Sequence, residues 1–204
     1  MGRVMLPLYT PRYVPNGSEL ACITTNKGTI IVELDGKNAP VAVGNFIELA
    51  HQGFYEKTKF HAYKAHSVIA GGCPVTRGLG AAQVDAGSRG VLRGIHPGTG
   101  DARYTIKDEY VKKPNNKHKL GSLCLAHKSE PNSSSCQFYF SLARQTKFDK
   151  RFTVFGATIK GLDVLAELRI GDEILSIDIL GADQMLLAEA LLGDIPVPFV
   201  ATSA

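Results

Sequence analysis

Leu20-Ala21-Cys22-Ile23-Thr24-Thr25-Asn26-Lys27-Gly28-Thr29-Ile30-Ile31-Val32-Glu33-Leu34 reads as two strands and the turn between them. The runs Leu20 to Thr24 and Thr29 to Leu34 are rich in β-branched residues, and Asn26-Lys27-Gly28 joins them with a glycine free to take a positive φ. In the second run Ile30, Val32 and Leu34 alternate with Thr29, Ile31 and Glu33, the period of a sheet with one face in a core and the other partly wet. The stretch predicts a β-hairpin.

Working outward, strand patterns recur at Phe60 to Tyr63, Val68 to Gly71, Gly121 to Ala126, Gln137 to Leu142, Thr153 to Ile159 and Ile174 to Leu180, about eight short strands in all. Two stretches read as helix. One starts at Pro40, sets Val43, Phe46, Ile47 and Ala50 on one face, and stops at Gly53. The other, Leu162 to Leu168, turns Leu162, Leu165 and Ala166 inward. Eight strands need closure to remove their edges, and two amphipathic helices suit the open ends, so the expected fold is mainly β, a closed eight-stranded antiparallel β-barrel capped by two α-helices. Residues 1–19 are an N-terminal extension and 20–180 the domain. The Gly-rich stretch 74–100 is a long loop, of the kind that is functional or mobile. Residues 181–204 form a short helix and C-terminal tail.

Composition narrows the function. The chain has 204 residues, 44% hydrophobic and 21% charged, enough for one domain with a real core. Twenty-three Lys plus Arg against nineteen Asp plus Glu give +4, spread along the chain, which argues against a nucleic-acid partner. Apolar runs are too short to span a membrane, and Met1 to Cys22, with Pro7, Pro11 and Pro15, is neither a secretory signal nor an anchor. Leu6 stands where a myristoylation motif wants Ser or Thr. Cys22, Cys73, Cys124 and Cys136 show no Cys-x-x-Cys spacing and read as reduced thiols of a cytoplasmic protein.

Several chemistries drop out on spacing. His61, His66 and Cys73 match no zinc pattern, so no metal is expected. Gly78-Leu79-Gly80 lacks the third glycine of a dinucleotide fingerprint, and His96-Pro97-Gly98-Thr99-Gly100 lacks the Lys of a phosphate loop. No Gly-x-Ser-x-Gly elbow supports a hydrolase. The expectation is a protein with no cofactor.

A set of ordered motifs is more specific: Ala39-Pro40, Asn45-Phe46, Gly53-Phe54-Tyr55, Lys59-Phe60-His61, Gly71-Gly72, Pro97-Gly98-Thr99-Gly100, and Tyr104-Thr105-Ile106-Lys107-Asp108-Glu109. Gly121 to Ala126, Glu130-Pro131-Asn132-Ser133, Gln137-Phe138-Tyr139-Phe140, Phe148-Asp149 and Val154-Phe155-Gly156 follow. Together these resemble the cyclophilins, peptidyl-prolyl cis-trans isomerases, and in particular their bacterial cytosolic branch, over Leu20 to about Leu180. The resemblance implies the same eight-stranded barrel with two helices, a monomer, and an outer-face site where a proline ring enters an apolar pocket beside an Arg. Its partners are proline-containing polypeptides.

Carried over by residue, His61 stands in the family's Phe-His-Arg motif and Gln137 and Tyr139 in its Gln-Phe-Phe motif. Val68 and Phe148 fall at the floor of the proline pocket, Ala126 and His127 where substrate backbone binds, and Phe152 where many members have His. The Tyr139 hydroxyl takes no room from the pocket and can find water. The departures cluster at the chemistry. Ala62 replaces the family's catalytic Arg, Ala70 the Gln that steadies it, and Ser67 a Phe of the pocket wall, so no residue is assigned as catalytic. Lys64, two residues on from Ala62 and so on the same strand face, and Arg89, Arg93 and His96 of an apparent insertion at Gly78 to His96, are candidate substitute charges. Two functions stand open: a prolyl isomerase of reduced activity that assists protein folding, or a non-catalytic module that grips proline-containing segments or a partner protein.

Overall fold

The computed structural model describes residues 6–109 and 117–181. The hairpin forms as expected: β2 (Leu20–Thr25) pairs antiparallel with β3 (Gly28–Leu34), Thr25 opposite Gly28, and is preceded by a short strand β1 (Leu8–Tyr9). The other strands are β4 (Ala62–Lys64), β5 (Val68–Gly71), β6 (Thr105–Ile106), β7 (Ser122–Leu125), β8 (Phe138–Ser141), β9 (Val154–Lys160) and β10 (Ile174–Leu180). The helices are α1 (Pro40–His51), α2 (Ala81–Ser88) and α3 (Leu162–Glu167).

Eight strands make one curled antiparallel sheet in the order β10-β2-β3-β9-β7-β8-β5-β4. The closed barrel is corrected here: β10 and β4 are edges and do not pair strand to strand. The reason is length. β4 has three residues and cannot run alongside the seven of β10. The chain ahead of β4 spans the gap instead, Lys57 and Phe60 N–H donating to the Ile174 and Asp172 carbonyls at 2.9 Å each.

The concave face and α1 share the main core, in which Ile23, Ile30, Val32, Leu34, Phe46, Ile47, Phe138, Phe140 and Phe155 are all buried. Alternation along β3 sends Ile31 to the opposite face, where it joins Leu20, Cys22 and Leu180 in a smaller cluster. Helix α1 carries Pro at its first turn and has no side-chain cap of its own; Glu109 supplies one, accepting the Val41 and Ala42 N–H groups at 3.0 and 2.9 Å. In α3 only Leu165 is buried, while Leu162 is 41% exposed, so the expected inward face is narrower than the sequence implied.

The stretch 74–100 is not a structureless loop. It holds a 3-10 turn at Pro74–Thr76 and the helix α2. Ala-Ala-Gln-Val-Asp-Ala-Gly-Ser has no apolar stripe, and only Val84 and Gly87 are buried, so periodicity could not reveal it. Tertiary contact holds it: Gly87 packs where a β-carbon would stand 2.9 Å from Pro97, and the Ser88 hydroxyl donates to the His61 carbonyl at 2.6 Å. A second feature absent from the strand reading is a parallel pair, β1 with β6. The expected helix and tail beyond residue 181 lie outside the described residues.

Candidate functional site

Strand alternation builds the site on the outer face of the sheet. Ala62 lies opposite Ala70, Ala70 opposite Tyr139, and Tyr139 opposite Cys124, one row across β4, β5, β8 and β7. Their chain neighbours Ile69, Phe138 and Phe140 point the other way, into the core. At this row an apolar pocket of about 160 Å³ is lined by Val68, Ala70, Ala126, His127, Tyr139, Phe148 and Phe152. The 3-10 turn Thr146–Phe148 presents Phe148. The aromatic rings brace one another edge-on, Phe148 to Phe152 at 5.2 Å, Tyr139 to Phe152 at 5.9 Å and Tyr139 to Phe148 at 6.2 Å between centroids, and His127 stacks on Phe152 at 4.3 Å.

The Tyr139 hydroxyl finds a partner within the protein. It is buried and lies 3.0 Å from Nε2 of His118, whose side chain is wholly buried and whose Nδ1 lies 3.2 Å from Asp149 Oδ1. Facing a carboxylate, Nδ1 carries the proton and donates, leaving Nε2 to accept from the tyrosine. Arg144 closes the chain with two hydrogen bonds to Asp149. Arg144 holds the Asp149 carboxyl well below the usual carboxylate range, and burial pulls the His118 pKa down although Asp149 opposes it. Burial drives the Tyr139 phenol far above its ordinary value. The sequence offered no sign of His118, which stands in the unpatterned Lys117-His118-Lys119 and reaches the site only through the fold.

A larger groove of about 480 Å³ adjoins the pocket and shares Ala126 and His127 with it. Gln137 lines the groove, but its side-chain amide is already engaged, donating to the Gly98 and Gly100 carbonyls at 2.9 and 2.6 Å. It positions the Pro97-Gly98-Thr99-Gly100 loop. Gly98 has φ +88°, which favours glycine, and a β-carbon there would press on the His61 ring at 3.2 Å. The Cys73 sulfur accepts the Gly98 N–H at 3.2 Å. His61 is buried behind this loop and lines neither cavity; its Nδ1 has no partner, and burial lowers its pKa to about 4, so it is neutral.

The chemistry of the pocket is therefore that of an apolar slot. Ala62 is exposed, and the described lining includes no Lys or Arg. Of the candidate charges on the insertion, Arg89 is paired with Asp85 at 2.6 Å, and neither Arg93 nor His96 is among the described lining of either cavity.

Residues 20–181 match the sequence profile of the cyclophilin type peptidyl-prolyl cis-trans isomerase/CLD family. The chain belongs to the cyclophilin family. Among its relatives, a peptidyl-prolyl cis-trans isomerase of Helicobacter pylori is 38% identical over 159 residues, 77% of this chain and 84% of the relative. One from Synechococcus elongatus is 33% identical over 161 residues, 78% and 94% of the two chains. A crystal structure of a Cryptosporidium parvum cyclophilin has the same fold, with a TM-score of 0.64 at 24% identity over 80% of this chain and 98% of that one. The same parasite protein in the presence of the dipeptide Ala-Pro gives 0.60 at 25% identity, over 79% and 98%. The relatives named above are peptidyl-prolyl cis-trans isomerases, and this cyclophilin pairs two alanines, Ala62 and Ala70, across β4 and β5 beside the apolar pocket.

Proposed function

We propose that this cyclophilin is a prolyl isomerase of reduced rate that still grips proline-containing segments in the apolar pocket. One observation carries the reading: the pocket floor of Val68, Tyr139 and Phe148 is assembled, while Ala62 and Ala70 contribute no side-chain donor beside it. Amide resonance sets a rotation barrier of about 18–20 kcal/mol, and a catalyst need only hold the twisted amide better than the planar one. Removing an X-Pro bond from water favours the twisted form, in which charge separation is smaller, and the aromatic walls supply that desolvation. A preorganised donor on the twisted amide is typically worth a further 2.7–4 kcal/mol or about a hundredfold to a thousandfold in rate. Ala62 supplies none of it. The Ala-Pro dipeptide of the parasite neighbour supports a proline ligand for this pocket.

The same two alanines favour a second reading, a module that binds proline segments without turnover. A protease-coupled proline isomerisation assay over a range of protein concentrations separates them. The proposal expects a rate constant that rises linearly with protein but with a small slope. A rate indistinguishable from the uncatalysed one, at protein concentrations that saturate a labelled proline peptide, leaves only the binding module.

A further inference from the structure

The N-terminal strap, residues 6–19, lies ahead of the stretch that matches the cyclophilin profile. Pro7, Pro11 and Pro15 keep it extended, and the domain is shaped to receive it. Helix α1 carries a buried glycine, Gly44, at a position where Ala is about 1 kcal/mol better for a helix. A β-carbon there would stand 2.6 Å from the Tyr13 carbonyl oxygen and 3.1 Å from Pro11, so the glycine makes room for the strap. Glu48, one helical turn on, accepts the Tyr9 hydroxyl at 2.8 Å and the Arg12 and Tyr13 N–H groups at 2.6 and 2.8 Å. Tyr9 packs on Tyr104 with ring centroids 4.5 Å apart.

Fastened in this way, the strap brings Leu6 to the groove. The Pro7 carbonyl accepts the Thr105 N–H at 2.9 Å as β1 runs into register with β6, and Thr105 and Leu6 both line the 480 Å³ groove. Leu6 is half-buried there. The other apolar surface comes from Ala126 and Pro131, with Asp101 and Lys128 among the polar lining. Because Ala126 and His127 are common to both cavities, one extended peptide with its proline in the apolar pocket would place a nearby side chain in the groove.

We propose that the strap is an integral wall of the peptide groove and that Leu6 selects clients carrying an apolar side chain near the proline. This rests on the reading of the pocket as a proline site. The test uses four fluorescein-labelled peptides with Leu or Glu at the second residue before or the second residue after a single proline, titrated by anisotropy. The parent should prefer Leu at one of the two positions. Leu6→Ala should weaken that peptide three- to tenfold and leave its Glu counterpart within twofold, while Leu6→Met, of similar volume, restores the preference. Leu8→Ala, a change at a neighbour that is 61% exposed, should alter neither. Parallel changes for all four peptides, or no change, overturn the role of Leu6 while the proline site stands. If the parent binds no peptide saturably, the proline-site reading falls and the proposal falls with it.

Discussion

Supplying a side-chain donor at Ala62 is the sharpest test of the proposed function. Ala62 and Ala70 face each other directly across β4 and β5, so side chains placed there start from β-carbons about 4.5–5.5 Å apart. An Arg at 62 and a Gln at 70 therefore reach each other without backbone movement, and Ala62 is exposed, so the longer side chain meets no wall. Arg alone contributes a donor worth about 2.7–4 kcal/mol to the twisted amide. Ordering its free side chain costs about 1.5–2 kcal/mol. The remainder, about 1–2 kcal/mol, is a five- to thirtyfold faster rate for Ala62→Arg. With Ala70→Gln added, a hydrogen bond of about 1 kcal/mol fixes the guanidinium. The double variant should then be about thirty- to a hundred-and-fiftyfold faster than the parent. The assay is protease-coupled isomerisation at sub-saturating peptide, with peptide affinity and melting temperature measured in parallel. A double variant that melts like the parent and binds peptide as tightly, yet turns over no faster, would refute the argument that the missing donor limits the rate.

Three further outcomes follow from the geometry. Tyr139→Phe keeps the ring that floors the pocket but leaves the buried His118 Nε2 without its partner, so it should lower stability by about 1–3 kcal/mol in thermal or urea melts. His61 is neutral in the fold, with a pKa of about 4 against an ordinary 6.5, and the unfolded chain takes up its proton first; stability should therefore be full above pH 6.5 and fall by about 3 kcal/mol as pH drops to 4. His61→Gln should flatten that acid limb in denaturant titrations, and an unchanged pH profile would exclude His61 as its source. Gly44→Ala, a change that stabilises most helices by about 1 kcal/mol, should here lower the melting temperature by pushing the strap off α1, and should speed limited proteolysis within residues 8–13.

Much of this protein is local in origin and so was legible along the chain. Alternation at Ile30, Val32 and Leu34, the turn at Gly28, and the Pro40 start of α1 are decided by residues within a few positions of one another. The eight sheet strands and two of the three helices could therefore be read directly. The ordered motifs likewise placed Val68, Ala126, His127, Tyr139, Phe148 and Phe152 on one site, and these six share one pocket. What escaped depends on contacts between distant segments. The three-residue length of β4 left the sheet open, although eight strands suggested closure. Helix α2 has no apolar stripe and is held by Pro97 and His61, and the strap is held by Glu48 and by the space above Gly44. His118 lies 21 residues from Tyr139 and 31 from Asp149, so only the folding of β8 and the Phe148 turn over it makes the three a chain of hydrogen bonds. Periodicity reports which face a residue turns to its own element's neighbours, and it carries no information about which distant side chain will be waiting there.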